Sequence, residues 1–534
     1  MKKLSFLIAV FIFLAANIFA QDLRKKAEEN PLFCALYLLQ KEGDLNALEL
    51  SRLTQVFFEL PKSEDLFYAI NLAEENDDKA ALFITYSREF LKIGKKTEAN
   101  KFLTEAVKTL NKDNHPDVFY LKWAVEDLFS IERSDEAVKI AEIFADEFDS
   151  NDITTAVAEE FVKRGQTEKL RQFIAQPFFP HESENNLTRA KIALIYAKLK
   201  QPEKARKILE EIKQTAFFGE TVTDENNNRR EILFPILRVH LALGEIDKAF
   251  EVWNVRGDQD DFYENRLFID DLIAYGQMDK VSLLLAQMQS NTEKFARDGY
   301  IVVEIYLKIG DVESALSAAK NMSDKDDNYW QQDSFMKLAD RFIADGNTNY
   351  AESILDVAFG RANKIIFQHN AMDSVGASTG SRKMIYLGNI YQRLMKLRRF
   401  DKAFAVINSI GSDHWKAKEF IVEKLADFVS QQIKALPRKK INAILNKIQN
   451  IYDKEDEGDY DYSNTKLLVA GIYAEMGEKT KAVELIAKVL EEAKESCCYE
   501  DDFLIAAGKV FEQKKLKANA NLKKVLKKYI EDAE

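Results

Sequence analysis

Apolar residues in this chain return at three- and four-residue spacing through stretches several helical turns long, and short polar turns divide the stretches. Leu467, Leu468, Gly471, Ile472 and Met476 form one such run. The spacing predicts amphipathic helices, each burying one face. Inside the pattern a phrase repeats: a small or β-branched residue, an aromatic three later, Gly four after that, then Ala five further on. It reads Val303-Tyr306-Gly310-Ala315, Ala339-Phe342-Gly346-Ala351 and Ala470-Tyr473-Gly477-Ala482. The aromatic fills the space between two helices, and the Gly closes the first helix in a left-handed conformation. The Ala lies where the second helix crosses the first, and a large side chain there would force them apart.

Taken as an anchor, the Ala appears at Ala99, Ala137, Ala205, Ala249, Ala315, Ala351, Ala403 and Ala482, with Leu170 and Val281 in two gaps. From Ala99 to Ala351 the anchors are 38, 33, 35, 44, 32, 34 and 36 residues apart. That spacing centres near the period of about 34 residues of a helix–turn–helix repeat. A lone helix pair of this length buries too little surface to fold, so each pair must stack on its neighbours.

These residues resemble the tetratricopeptide repeat family. The match is good at Ile192-Ala193-Tyr196-Ala205-Leu209, where Lys200 stands in the Gly position, and at Leu338-Ala339-Phe342-Gly346-Ala351-Leu355. It is weaker at Leu237-His240-Gly244-Ala249 and Ile390-Tyr391-Leu394-Ala403, and the family's Trp and closing Pro are mostly missing. The resemblance covers roughly residues 78–495 and implies an all-α, right-handed α-solenoid. The turns divide Leu45–Glu531 into about 13 helical hairpins. The expected organisation is a leader at 1–20, an N-terminal helical-repeat array at 21–365, a flexible loop at 366–382 and a C-terminal array at 383–534. The last helix, with an apolar stripe at Leu522, Val525, Leu526, Tyr529 and Ile530 and lysines elsewhere, reads as a basic capping helix.

The N-terminus changes the compartment. Met1-Lys2-Lys3, an apolar run from Leu4 to Ala16 and Ala20-Gln21 have the form of a cleavable signal peptide, cut after Ala20. The run is too short to span a bilayer, and no later segment is long and apolar enough to do so. The expectation is an exported bacterial protein, periplasmic or secreted, with no integral membrane span. Removing Lys2 and Lys3 from 76 basic residues leaves 74 against 88 acidic, a net charge of −14. That balance argues against nucleic acid as a partner. Gly at 19 and Pro at 8 are low for 534 residues, against average usages of about 7% and 5%, as a helical chain requires. Three cysteines, Cys34, Cys497 and Cys498, are too few for a disulfide framework. Cys34 reads as a buried thiol, whereas a strained vicinal bond at Cys497–Cys498 stays open.

No catalytic, cofactor or metal site is legible. The five histidines, His115, His181, His240, His369 and His414, have no metal-ligand spacing, and His240 occupies a repeat's aromatic position as a core residue would. Gly376–Arg382 has its glycines one position too close for a phosphate loop, and the acidic run from Asp453 to Asp461 has Asn464 where a calcium loop needs Glu. The expectation is a non-enzymatic scaffold.

The resembled family lines its inner face with first helices and binds extended peptides there. Aligned on the anchors, seven first helices place Arg88, Leu194, Arg238, Glu304, Asp340, Gln392 and Gly471 at one inward position. Four residues later stand Lys92, Lys198, Ala242, Lys308, Ala344, Lys396 and Glu475. Arg88, Lys92, Lys198, Arg238, Lys308 and Lys396 are therefore the candidate partner-binding residues, suited to a protein or peptide partner, acidic ones included. A second explanation for the lysines is local: cations favour helix C-termini through the backbone dipole. The alternative ligand is a glycan or polymer, for which Tyr300, Phe234 or Trp253 would supply an aromatic platform. Phe178 and Phe179 fit either a contact patch or a tuck beneath their loop.

Overall fold

The computed structural model describes residues 23–43, 45–60, 62–110, 116–145, 150–181, 183, 185–214, 226–256, 261–322, 329–365, 379–410, 415–452, 463–495 and 500–534. The expected leader, Cys497, Cys498, His115, His369 and His414 lie outside them, as do most of the 366–382 segment and the acidic run. The chain is all-α. Among the described residues the one β pairing is an isolated bridge between Leu45 and Ala73.

Helices pair in sequence as the anchors predict. Ala47–Glu59 with Ser63–Ile70 is the first hairpin and Glu500–Gln513 with Ala520–Ala533 the last, which fits the expected count of about 13. Asn76–Lys92 with Lys96–Thr109, and Tyr329–Ala344 with Thr348–Lys364, are typical. The fold is a tetratricopeptide-like helical repeat. Each anchor is sealed: Ala99, Ala137, Ala205, Ala249, Ala315, Ala351, Ala403 and Ala482 are wholly buried.

The repeated phrase is a helix cap written into the sequence. Gly310 sits at φ 82°, its N–H donates to Leu307 O (3.2 Å), and the Asp311 N–H donates to Tyr306 O (2.9 Å). That pair of bonds is a Schellman cap, which consumes carbonyls the helix end leaves open. The same bond from the residue after the turn to the aromatic's carbonyl recurs from Lys95 to Phe90 (2.8 Å), Gln201 to Tyr196 (2.9 Å), Asn347 to Phe342 (2.8 Å) and Glu478 to Tyr473 (2.8 Å). The aromatic-to-Gly spacing of four is therefore set by the cap. The cap survives where Gly is absent: Lys200 and Arg398 both adopt φ 58°. A non-Gly residue there costs roughly 1–2 kcal/mol, offset partly by the unfolded-state freedom that Gly adds, about 0.4–1 kcal/mol. Lys200→Gly and Arg398→Gly should each stabilise the protein by about 0.5–1 kcal/mol, whereas Gly310→Ala should cost about 1 kcal/mol. Chemical denaturation midpoints check this, and equal effects at all three sites would refute the cap assignment.

Packing divides the described chain into two compact units. One holds Met1–Asp127 with Ser412–Glu534, and the other holds Leu128–Gly411. In the first, Phe67, Phe83, Phe90 and Phe102 form an aromatic core with ring centroids 5.0–5.8 Å apart. Gly471 is not required by packing, since a Cβ there would lie at ordinary contact distance, 3.6 Å from the Lys514 side chain and 3.8 Å from Val510. In the second, Trp253 is fully buried and packs 5.0 Å from Phe268.

The helix expected as a basic cap at the C-terminus packs against the N-terminal segment of its own unit. Ala520–Ala533 buries its apolar stripe, and two of its lysines turn to the N-terminal segment, Lys523 pairing with Glu29 at 2.6 Å and Lys527 with Glu28 at 3.7 Å. Helix Pro31–Glu42 packs against both Ala520–Ala533 and Glu500–Gln513.

Candidate functional site

The structure pairs three of the six candidate cations, Arg88, Arg238 and Lys308, with carboxylates of neighbouring hairpins. Arg88 reaches Glu126 (2.8 Å) and Asp127 (3.5 Å) on the next first helix, Val118–Ser130, and its guanidinium lies 4.8 Å from the Trp123 ring centroid. Arg238 meets Asp271 at 2.7 Å, and Lys308 meets Asp270 at 2.7 Å. Lys92 pairs within its own helix with Glu89 (2.5 Å), and Lys198 lies 4.5 Å from the Tyr275 ring centroid. Lys396 is exposed, with no carboxylate paired to it among the described residues. Arg88, Arg238 and Lys308 thus tie adjacent first helices together, and the positive stripe is largely compensated.

Burial makes two of these contacts uneven. Asp127 is pushed up to about 7, because burial disfavours its charge more than Arg88 favours it. Asp271 is likewise raised by burial against the pull of Arg238. These carboxylates sit at the seams between hairpins, where a charge is costly unless paired.

The richest cluster lies in the Leu128–Gly411 unit, on three consecutive first helices: Phe262–Ala274, Tyr300–Ile309 and Tyr329–Ala344. Glu304 on the middle helix is clasped by Arg266 from one side and Lys337 from the other. Lys337 also meets Asp333 at 2.7 Å. The result is a ladder of alternating sign across three helices. Burial would lower Lys337, but hydrogen bonds to Asp333 and Glu304 outweigh it and raise its pKa. Beside the ladder Tyr300 and Trp330 stack with centroids 4.2 Å apart and planes 14° from parallel. The Lys337 ammonium lies 6.0 Å from the Tyr300 centroid. Trp330 is 39% exposed and Tyr263, one turn before Arg266, is 52% exposed. Burial first, then the charges of Asp298 and Glu304, raises the Tyr300 phenol.

Of the three aromatics considered as a platform, Tyr300 alone is available. Phe234 and Trp253 are buried, because they pack against each other within their hairpin and Trp253 also packs on Phe268 of the next. Phe179 tucks beneath its loop against Phe173 and His181. Arg266, Lys337, Asp333 and Trp330 were not legible as site residues. Arg266 and Lys337 meet Glu304 across 38 and 33 positions, Trp330 meets Tyr300 across 30, and Trp330 precedes the repeated phrase. The signal present was helical spacing: Trp330, Asp333 and Lys337 follow one another at three and four residues.

The described histidines have structural surroundings. His240 is buried at the aromatic position expected for it and bonds Glu245 Oε2 through Nδ1 at 2.9 Å. Burial would raise Glu245, but bonds from His240, Arg206 and Lys248 hold it at about 2. His181 bridges Ile174 O (2.7 Å) and the Tyr196 hydroxyl (3.1 Å). Cys34 is a buried free thiol with its pKa pushed far up by burial. Among the described residues no group of histidine, cysteine and carboxylate side chains is placed to hold a metal ion, and no helix is long and apolar enough to cross a membrane.

No family model matches the chain, and no curated protein matches it. Solved helical-repeat proteins are similar to it at 12–13% identity. The Naa15/Naa10 assembly bound to HypK covers 86% of this chain and 72% of its own, with a TM-score of 0.29. Yeast Tom70 covers 88% and 95% at 0.26, and the pentatricopeptide repeat protein PPR10 from maize covers 92% and 70% at 0.29.

Proposed function

We propose that the chain is a non-enzymatic scaffold that holds an extended protein or peptide segment across the first helices of residues 262–344. The observation that supports this reading most is the Tyr300–Trp330 stack beside the Arg266–Glu304–Lys337–Asp333 ladder. Exposed aromatics anchor apolar side chains at little entropic cost, and alternating donors and acceptors suit a peptide main chain. Lys198 and Lys396 add a preference for acidic segments. Because the other cations are already paired, that preference is secondary to the aromatic anchor.

One binding experiment separates these elements: immobilised full-length protein against neutral and acidic extended peptides, with soluble glycans alongside. Peptides should be retained. Tyr300→Ala with Trp330→Ala should weaken them at least about tenfold, the scale of a hot-spot aromatic. Lys198→Glu and Lys396→Glu together should weaken only the acidic set. Retention of glycans alone, lost on Trp330→Ala, would replace the peptide reading with the second one, a sugar platform on the stacked rings. The same proposal puts the protein in the periplasm or outside the cell, on the strength of residues 1–20. Its native mass should begin at Gln21, and a native chain retaining Met1 would remove export from the proposal.

A further inference from the structure

The unit that holds Met1–Asp127 and Ser412–Glu534 contains an interface unlike the others among the described residues. Along the repeats, neighbouring hairpins are tethered by short connections. Here the partners are hundreds of residues apart: Asn30 bonds Glu512 across 482 positions. Helix Pro31–Glu42 is apolar nearly all round, with Leu32, Cys34, Ala35, Leu36, Leu38 and Leu39 buried, as a helix enclosed on two sides must be. It lies against Ala47–Glu59 and against the final hairpin. Gly508 brings the final hairpin so near that a Cβ there would stand 2.4 Å from Leu32 N. Cys34 Sγ lies 4.0 Å from Leu526 O.

Ion pairs ring this apolar centre. Arg24 holds Glu534 at 2.9 Å, Lys62 holds Glu512 at 2.9 Å, and Glu29 and Glu59 hold Lys523 and Lys509. All are partly exposed and so open to screening by salt. An interface with no short tether behaves as an intramolecular binding equilibrium, and its two faces are different surfaces. Two such complementary faces on one chain also complement those of a second copy.

We propose that this junction is a releasable seam: it closes in cis at low ionic strength, and when opened its N-terminal edge and final hairpin pair reciprocally with those of a second copy of the chain. The seam is independent of the peptide-binding face at residues 262–344.

The test uses full-length protein. Hydrogen exchange at rising NaCl should show residues 31–42 and 500–533 losing protection together by at least tenfold, while 329–364 keep theirs. Two charge-reversed variants sharpen it, Glu29→Lys with Glu59→Lys and Lys509→Glu with Lys523→Glu. Each alone should show the open ends at low salt. Mixed in equal amounts they should form two-chain particles by light scattering, because each N-terminal edge then matches the other chain's final hairpin. One chain carrying all four changes should regain protected ends and single-chain mass, which separates seam opening from misfolding. Ends that lose protection independently, a mixture that stays single-chain, or a four-site variant that is not rescued would each overturn the proposal.

Discussion

Gly508→Ala destabilises the protein by about 1–3 kcal/mol, the range for forcing extra volume into a packed interior, although the same change normally strengthens a helix. Alanine is favoured over glycine inside a helix by roughly 0.8–1 kcal/mol. At Gly508 the added Cβ meets Leu32 backbone N at 2.4 Å and Cα at 2.6 Å, so backbone, not a flexible side chain, must move. Gly360, on the exposed side of helix Thr348–Lys364, is the internal control, with nothing within 4 Å of an added Cβ. Gly360→Ala should stabilise by about 0.5–1 kcal/mol. Denaturation monitored by circular dichroism gives both signs, and a stabilised Gly508→Ala would show that Leu32 does not approach so closely.

Ala351→Trp should have the larger effect, at or above about 3 kcal/mol, the upper end of ordinary overpacking. Ala351 is fully buried in Thr348–Lys364, one turn before Leu355, and faces Tyr329–Ala344, whose Leu338 and Ala339 are also fully buried. An indole cannot enter without separating two helices, and the separation passes to the hairpins stacked on either side. Ser353→Trp, two residues away at an exposed position, should change stability by less than about 0.5 kcal/mol. Similar midpoints for the two tryptophan variants would contradict the anchor register. Only the buried variant should also lose cooperativity.

The hairpins, their number and their register were legible because each is written in local terms. The Tyr306–Gly310 spacing is a Schellman cap, and the Ala315 position is a helix crossing, both within ten residues. Lys200 shows the strength of that local code: the turn keeps its left-handed geometry even without Gly. The candidate site was legible only in part. The inward positions were found, and Arg88, Arg238 and Lys308 do face the seams between first helices. What the alignment could not supply was charge compensation, because each carboxylate partner stands on a different hairpin. The Trp330 stack was missed for the same reason, since Tyr300 lies 30 residues earlier in the chain.

Helix Pro31–Glu42 carried a readable clue that the reading of the array's ends did not use. An edge helix needs a polar face, and Leu32-Phe33-Cys34-Ala35-Leu36-Tyr37-Leu38-Leu39 has none. Such a helix must be covered on two sides, and the Lys-rich final helix is half of that cover. By itself the sequence determined the repeat, the caps and the buried anchors, since those interactions join residues within one hairpin. Only the tertiary structure decided which charges cancel, which aromatics stay exposed and how residues 24–62 meet residues 509–534, because those contacts join residues from about 30 to 510 positions apart, beyond the reach of any local pattern.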